Sequence, residues 1–229
     1  VARFGLAGRE LDEVAAGAVL KHTRDFNLTR EAVLSSALAP TTPAVDLQQA
    51  CGTGLEAVVY IANKIALGQA DVGIGGGVDS ASDAPIAVSE GLRRALLAAN
   101  RARTLPKRLQ ALAAIRPGDL APSVPEVVEP RTGLSMGEHQ ARTSAAWEIS
   151  REAQDELAAA SHHNLAAAWD GGFFDDLVTP YLGVTRDTIL RPDTSVEKLA
   201  ALKPVFGDTM TAGNSTALTD GAAAVLLAG

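Results

Sequence analysis

With one cysteine among 229 residues, the chain can form neither an internal disulfide nor a cysteine-based zinc site. Cys51 is therefore either a small buried hydrophobe or a reactive thiol, and no metal site is expected. Aromatic residues are scarce at 4%, against 47% hydrophobic residues, so Ala, Val, Leu and Ile must build the core. That composition points to helices packed tightly on a sheet. Positive charge is in deficit as well. A formal net charge of −7 and a pI near 5.1 argue against nucleic acid as a partner, because proteins that bind it usually carry a basic excess. No run reaches the ~18–20 apolar residues of a membrane span, and the amino terminus lacks the basic-then-apolar pattern of a secretion signal. A cytoplasmic location is the resulting expectation.

Several segments have clear local character. Val1 to Leu6 has no start methionine and reads like the tail of a helix, which suggests that residues precede it. Glu13 to Leu20 is an apolar run suited to a buried strand, and Thr29 to Ala39 reads as a helix capped by Thr29. Ala44 to Ala50 leads into Cys-Gly-Thr-Gly, after which Leu55, Val58, Val59, Ala62, Ile65 and Ala66 recur at helical spacing until Gly68. Cys51 thus falls at a strand-to-helix turn. Asp71 to Val78 is a glycine-dense strand that backbone or ligand can approach closely. From about residue 83 to 204 the text changes to proline-rich connectors and basic helices, with two long helical patterns between 138 and 170. Thr209 to Gly213 and Ala222 to Gly229 return to small-residue strand character. The expected organisation is a core over 1–82, an inserted lobe over 83–204 and a return of the core over 205–229.

A thiol at the amino end of a helix faces the positive end of the helix dipole and unpaired backbone amides, which favour thiolate. Gly52, Thr53 and Gly54 place no bulk beside the sulfur, so an acyl group on a long arm can reach it, and amides there can stabilise an oxyanion. The alternative is a packed core cysteine.

Four separated segments resemble the thiolase family: DLQQACGTGLEA (46–57), GGGVDSASDAP (75–85), GLSMGEH (133–139) and TAGNSTALTDGAAAVLL (211–227). Order, spacing and intervening text such as QDELAAASH (154–162) agree over essentially the whole chain. Gln48 stands where many members have Asn, and the connector at Phe206 to Thr209 is short. The resemblance implies an α/β fold of stacked αβαβα layers, here its amino-terminal half with an inserted loop lobe, and a ping-pong acyl transfer. Coenzyme A would be a substrate, with no cofactor. Carried over, Cys51 would be the acylated nucleophile, with its own amide as one oxyanion donor. Met136 would line the acyl pocket, Ala212 and Thr216 would lie beside the pantetheine, and Arg191 would meet the nucleotide end. Family members are commonly homodimers or homotetramers. The resemblance also calls for a second half with a Gly-His-Pro segment and a Cys-x-Gly segment, neither of which occurs in these 229 residues, so the chain by itself is expected to be inactive.

Related alternatives remain at this point. A ketosynthase shares the fold and nucleophile, although the SMGEH and AGNST segments favour thiolase. A non-catalytic acyl-CoA- or lipid-binding subunit, or a scaffold subunit, is the other reading. His22, His139, His162 and His163 stand in contexts that suggest solvated or helix-face residues rather than a base, and Gly73 to Gly77 fails the dinucleotide-fingerprint spacing. Between Arg93 and Arg116 stand Arg93, Arg94, Arg101, Arg103, Lys107, Arg108 and Arg116 with no acidic residue, while Leu105, Leu109 and Leu112 share a helical face. That stretch is either a solvated helix or a site that attracts coenzyme A phosphates, a partner subunit or a membrane surface.

Overall fold

A computed structural model describes residues 1–229. In chain order the elements are β1 (Glu13–Ala16), α1 (Leu28–Ser35), β2 (Ala44–Asp46), α2 (Thr53–Ala66), β3 (Val72–Asp79), β4 (Ala87–Val88), α3 (Glu90–Arg101), α4 (Leu105–Ala113), β5 (Pro122–Ser123), α5 (Met136–Ala146), α6 (Arg151–Asp170), α7 (Val196–Ala200) and β6 (Gly221–Ala228). Contacts divide them into two units, Val1–Pro125 with Thr219–Gly229, and Glu126–Leu218. The composition change near residue 83 does not mark this division, since α3 and α4 belong to the first unit. No helix is long and apolar enough to cross a membrane.

The first unit is built on a sheet of order β2-β1-β3-β6, in which β1 runs parallel to β2 and β3, and β6 runs antiparallel to β3. Successive strand side chains point to opposite faces. Val14 accordingly packs with Val33 of α1, Leu11 and Leu38, whereas Ala15 packs with Ala57 and Ile61 of α2. The two helices cover opposite faces because the chain passes outward from β1 to β2 and then back across β1 to β3. Crossovers of one hand then fall on alternate faces. Glycine sets how closely α2 approaches. A Cβ on Gly75 would lie 2.6 Å from Val58 Cα and 2.8 Å from the Ala57 carbonyl oxygen, so the helix backbone rests directly on the strand backbone.

Thr29 is not the cap of α1. It is buried, and its hydroxyl donates to the Ala16 carbonyl at 3.1 Å. The helix start is held instead by Asp46, whose carboxylate accepts from the Leu28 amide at 3.0 Å and the Thr29 amide at 2.8 Å. A carboxylate projecting from β2 satisfies two helix-start donors at once, one on each oxygen.

In the second unit, Ser135 and Glu138 cap α5 reciprocally, as a Ser-x-x-Glu sequence allows. The Ser135 amide and hydroxyl hold the Glu138 carboxyl below its ordinary range. Asp155 of α6 is buried at 1% exposure and accepts from Arg151 Nε at 2.6 Å and Asn214 Nδ2 at 2.9 Å. Arg151 also donates to the carbonyls of Leu199 and Leu202, so one half-buried ion pair, with Asn214 bonded to its Asp155, ties α6, the end of α7 and the segment before β6 together. Thr209 to Gly213 is a turn rather than the expected strand. Asn214 Oδ1 accepts from the Thr211 amide at 2.7 Å and the Thr211 hydroxyl accepts from Gly213 at 3.2 Å, which closes the backbone locally.

Candidate active site

Cys51 lies between β2 and α2, and its thiol is exposed. The packed-core reading of this cysteine therefore does not hold. Ala50 before it adopts a left-handed conformation at φ 44°, uncommon for a residue with a Cβ. Two turn bonds follow, from the Gly52 amide to the Gln49 carbonyl at 2.9 Å and from the Thr53 amide to the Ala50 carbonyl at 3.2 Å. The Thr53 hydroxyl accepts from the Gln49 amide at 2.8 Å and donates to the Ala50 carbonyl at 2.7 Å. Thr53 itself is buried, and its methyl fits because residue 17 is glycine: a Cβ there would stand 2.7 Å from Thr53 Cγ2.

The thiol borders an open depression of about 540 Å³, walled by Gly17, by Gly75 to Asp79 of β3 and by Gly221 to Ala223 of β6. These are the carboxyl ends of the parallel strands β1 and β3, at the place where successive crossovers part in opposite directions. Open α/β sheets bind ligands there, because the loops diverge and leave a crevice. Two carboxylates fix its rim. Asp79 accepts from the Val19 amide at 3.0 Å and the Leu20 amide at 2.7 Å, joining the loop after β1 to the end of β3. Asp220 accepts from the Ser82 amide at 2.9 Å and the Ser80 hydroxyl at 3.2 Å, joining the exit of β3 to the entry of β6. The Ser82 amide, with the Ser82 and Ser80 side chains, holds the Asp220 carboxyl below its ordinary value. Asp79 and Asp220 stand inside segments that the sequence singled out, yet neither was marked as a rim residue. Only pairing β3 with β6 reveals what they join.

No histidine borders this depression. His22 Nε2 lies 2.9 Å from the Asp83 carbonyl, His139 Nε2 lies 3.3 Å from the Thr132 hydroxyl and His163 Nε2 lies 2.9 Å from the Thr194 carbonyl. The remaining sequence-selected residues belong to the second unit. Met136 opens α5 and is exposed, and Arg191 is exposed beyond α6, with its amide donating to His162 Nδ1 at 3.2 Å. Ala212 lies exposed within the turn that Asn214 closes and Thr216 is exposed just after it, where the Thr216 hydroxyl donates to the Ala217 carbonyl at 3.2 Å. The structure thus groups Ala212 with Thr216, while Met136 and Arg191 stand on other elements. No group of three or more His, Cys, Asp or Glu side chains is placed to hold a metal ion.

Residues 1–229 match the family model for the thiolase amino-terminal domain. The chain belongs to the thiolase family. This thiolase domain is 40% identical over 234 residues to a 3-ketoacyl-CoA thiolase of Pectobacterium atrosepticum, covering 98% of the chain and 54% of that protein. It is 39% identical over 236 residues to a 3-ketoacyl-CoA thiolase of Yersinia enterocolitica, covering 99% and 54%. Among solved structures it resembles the Bacillus anthracis acetyl-CoA acetyltransferase with a TM-score of 0.76 at 29% identity, over 99% of this chain and 55% of that one. Human mitochondrial 3-ketoacyl-CoA thiolase in complex with CoA gives 0.76 at 28%, over 97% and 54%. The thiolase-like α/β fold follows from these likenesses. The chain spans about half the length of the curated relatives it matches.

Proposed function

We propose that the protein carrying this chain is an acyl-CoA C-acyltransferase that cleaves 3-ketoacyl-CoA with coenzyme A, or runs the reverse condensation, through an acyl thioester on Cys51. The observation that carries this reading is an exposed thiol at a helix start, beside a depression at the carboxyl ends of parallel strands. In the cleavage direction the Cys51 thiolate attacks the 3-keto carbon. The bond between C2 and C3 then breaks, the electron pair left on C2 takes a proton, and acetyl-CoA departs. The shortened acyl group remains on sulfur until the thiol of a second coenzyme A attacks it, releases acyl-CoA and restores the thiolate. In this scheme the Cys51 amide is one donor to the developing oxyanion; the Gly52 and Thr53 amides already serve the turn, which leaves Gly54 and Leu55 as the first-turn amides beside it. In this scheme Met136 contacts the acyl chain, Ala212 and Thr216 contact the pantetheine, and Arg191 meets the nucleotide phosphates. All four are solvent-accessible, as ligand contact requires. Coenzyme A is a substrate here rather than a resident cofactor.

The test is thiolysis of a 3-ketoacyl-CoA by the full-length protein and by Cys51→Ser. A hydroxyl is far less ionised than a thiol, so the variant should bind coenzyme A normally while turnover falls by more than about 10³-fold. Undiminished turnover in Cys51→Ser would contradict the reading. A wild-type protein that binds coenzyme A without turnover would favour the non-catalytic binding subunit.

A further inference from the structure

Beyond the nucleophile itself, we propose that Thr53 is a positioning residue whose hydroxyl sets the conformation of the turn presenting the Cys51 thiol. The inference rests on Cys51 being the nucleophile and adds a residue that the sequence treated only as a small neighbour. Three observations carry it. First, the turn holds a strained conformation, since Ala50 sits at φ 44° with no glycine to relieve it, and such a residue persists only where its surroundings over-determine it. Second, the Thr53 hydroxyl bonds on both sides of that residue, accepting from the Gln49 amide at 2.8 Å and donating to the Ala50 carbonyl at 2.7 Å. A single oxygen therefore clamps the backbone immediately before the cysteine. Third, the clamp is itself immobilised: Thr53 is 4% exposed, and its methyl is held where Gly17 leaves room, as a Cβ on that glycine would stand 1.9 Å from the Leu47 carbonyl oxygen and 2.7 Å from Thr53 Cγ2.

The chemistry explains why a hydroxyl is needed. One group must accept from an amide and donate to a carbonyl at the same time, which a hydroxyl does and a methyl or a carboxylate does not. Without it the Gln49 amide loses its partner and the Ala50 carbonyl keeps only the weaker 3.2 Å bond from the Thr53 amide, so the turn is freed to relax from the left-handed conformation toward ordinary backbone. The sulfur moves with it, and misplacement by about 1 Å of a reacting group can cost on the order of 10²-fold in rate.

The experiment uses the full-length protein with Thr53→Val, which keeps the packed methyl, and Thr53→Ser, which keeps the hydroxyl. Two readouts are measured well below each variant's melting temperature: the rate of Cys51 alkylation by iodoacetamide across pH, and kcat and KM for 3-ketoacyl-CoA thiolysis. Thr53→Val should change the alkylation rate and its pH profile, and should lower kcat by about 10- to 100-fold with KM altered by less than about threefold. Thr53→Ser should restore both to within about threefold of wild type. Should Thr53→Val not fold, Thr53→Ala removes the same hydroxyl without pressing a methyl on the Ala50 carbonyl, and it decides the matter. A folded Val or Ala variant whose thiol alkylates and turns over like wild type would overturn the proposal, as would a Ser variant no better than Val. Alkylation reads the thiol directly, so failure here is distinguishable from failure of the thiolase reading, which shows as undiminished turnover in Cys51→Ser.

Discussion

Asp220 joins the two strands that wall the depression, and its donors hold its carboxyl below the ordinary range, the Ser82 amide first. An unfolded aspartate titrates near 3.9, so the stability this group supplies is fully present above that value and is lost as pH falls through the lower folded-state pKa. Melting temperature measured against pH for wild type and Asp220→Asn should show a gap that is steady near neutrality and closes in acid. A gap independent of pH would mean that the carboxylate charge contributes nothing. At this scale the sequence was most legible where the cause is local. The strand-to-helix turn at Cys51 was legible because its glycine neighbours and the following apolar period are all within reach of a short window. The cap of α1 was not, because Asp46 comes from a strand that follows the helix, 17 residues from Thr29. Asn214 was visible as part of a motif, but its bond to Asp155 spans 59 residues.

Helix α2, which follows Cys51, rests on strand β3, and at Gly75 the two backbones approach closely. Gly75→Val should destabilise the protein by about 1–3 kcal/mol or more in urea unfolding, because the atoms it meets are helix backbone and cannot turn aside. Wild-type stability would show that α2 can lift from the sheet. The glycine-dense strand and the end of α2 at Gly68 were legible, since glycine there has a direct steric meaning. The turn at 209–213 was mistaken for a strand because its closure depends on side chains that compete with a ladder. On α3, Arg93 and Arg94 pair with Glu90, each at 2.7 Å, which leaves Arg101, Arg103 and Lys107 as exposed cations near the α3–α4 junction. Replacing Arg101, Arg103, Lys107 and Arg108 by Gln should weaken coenzyme A binding severalfold and flatten its salt dependence, since exposed charges are screened over about 8–10 Å. Unchanged binding at low salt would make this stretch a solvated surface.

Across the whole molecule, membership of the thiolase family and the α/β fold were legible because four segments kept their order over the full chain. The division into units was not, because α3 and α4 follow the composition change near residue 83 and yet belong to the first unit. The central claim remains covalent chemistry at one sulfur. It is tested most directly by incubating the full-length protein with acetyl-CoA or acetoacetyl-CoA, quenching, and measuring intact and peptide mass for wild type and Cys51→Ala. The account predicts one acetyl group on the peptide containing Cys51, absent from the variant and discharged by added coenzyme A. No adduct on the wild-type protein, or an undiminished adduct in Cys51→Ala, would contradict it.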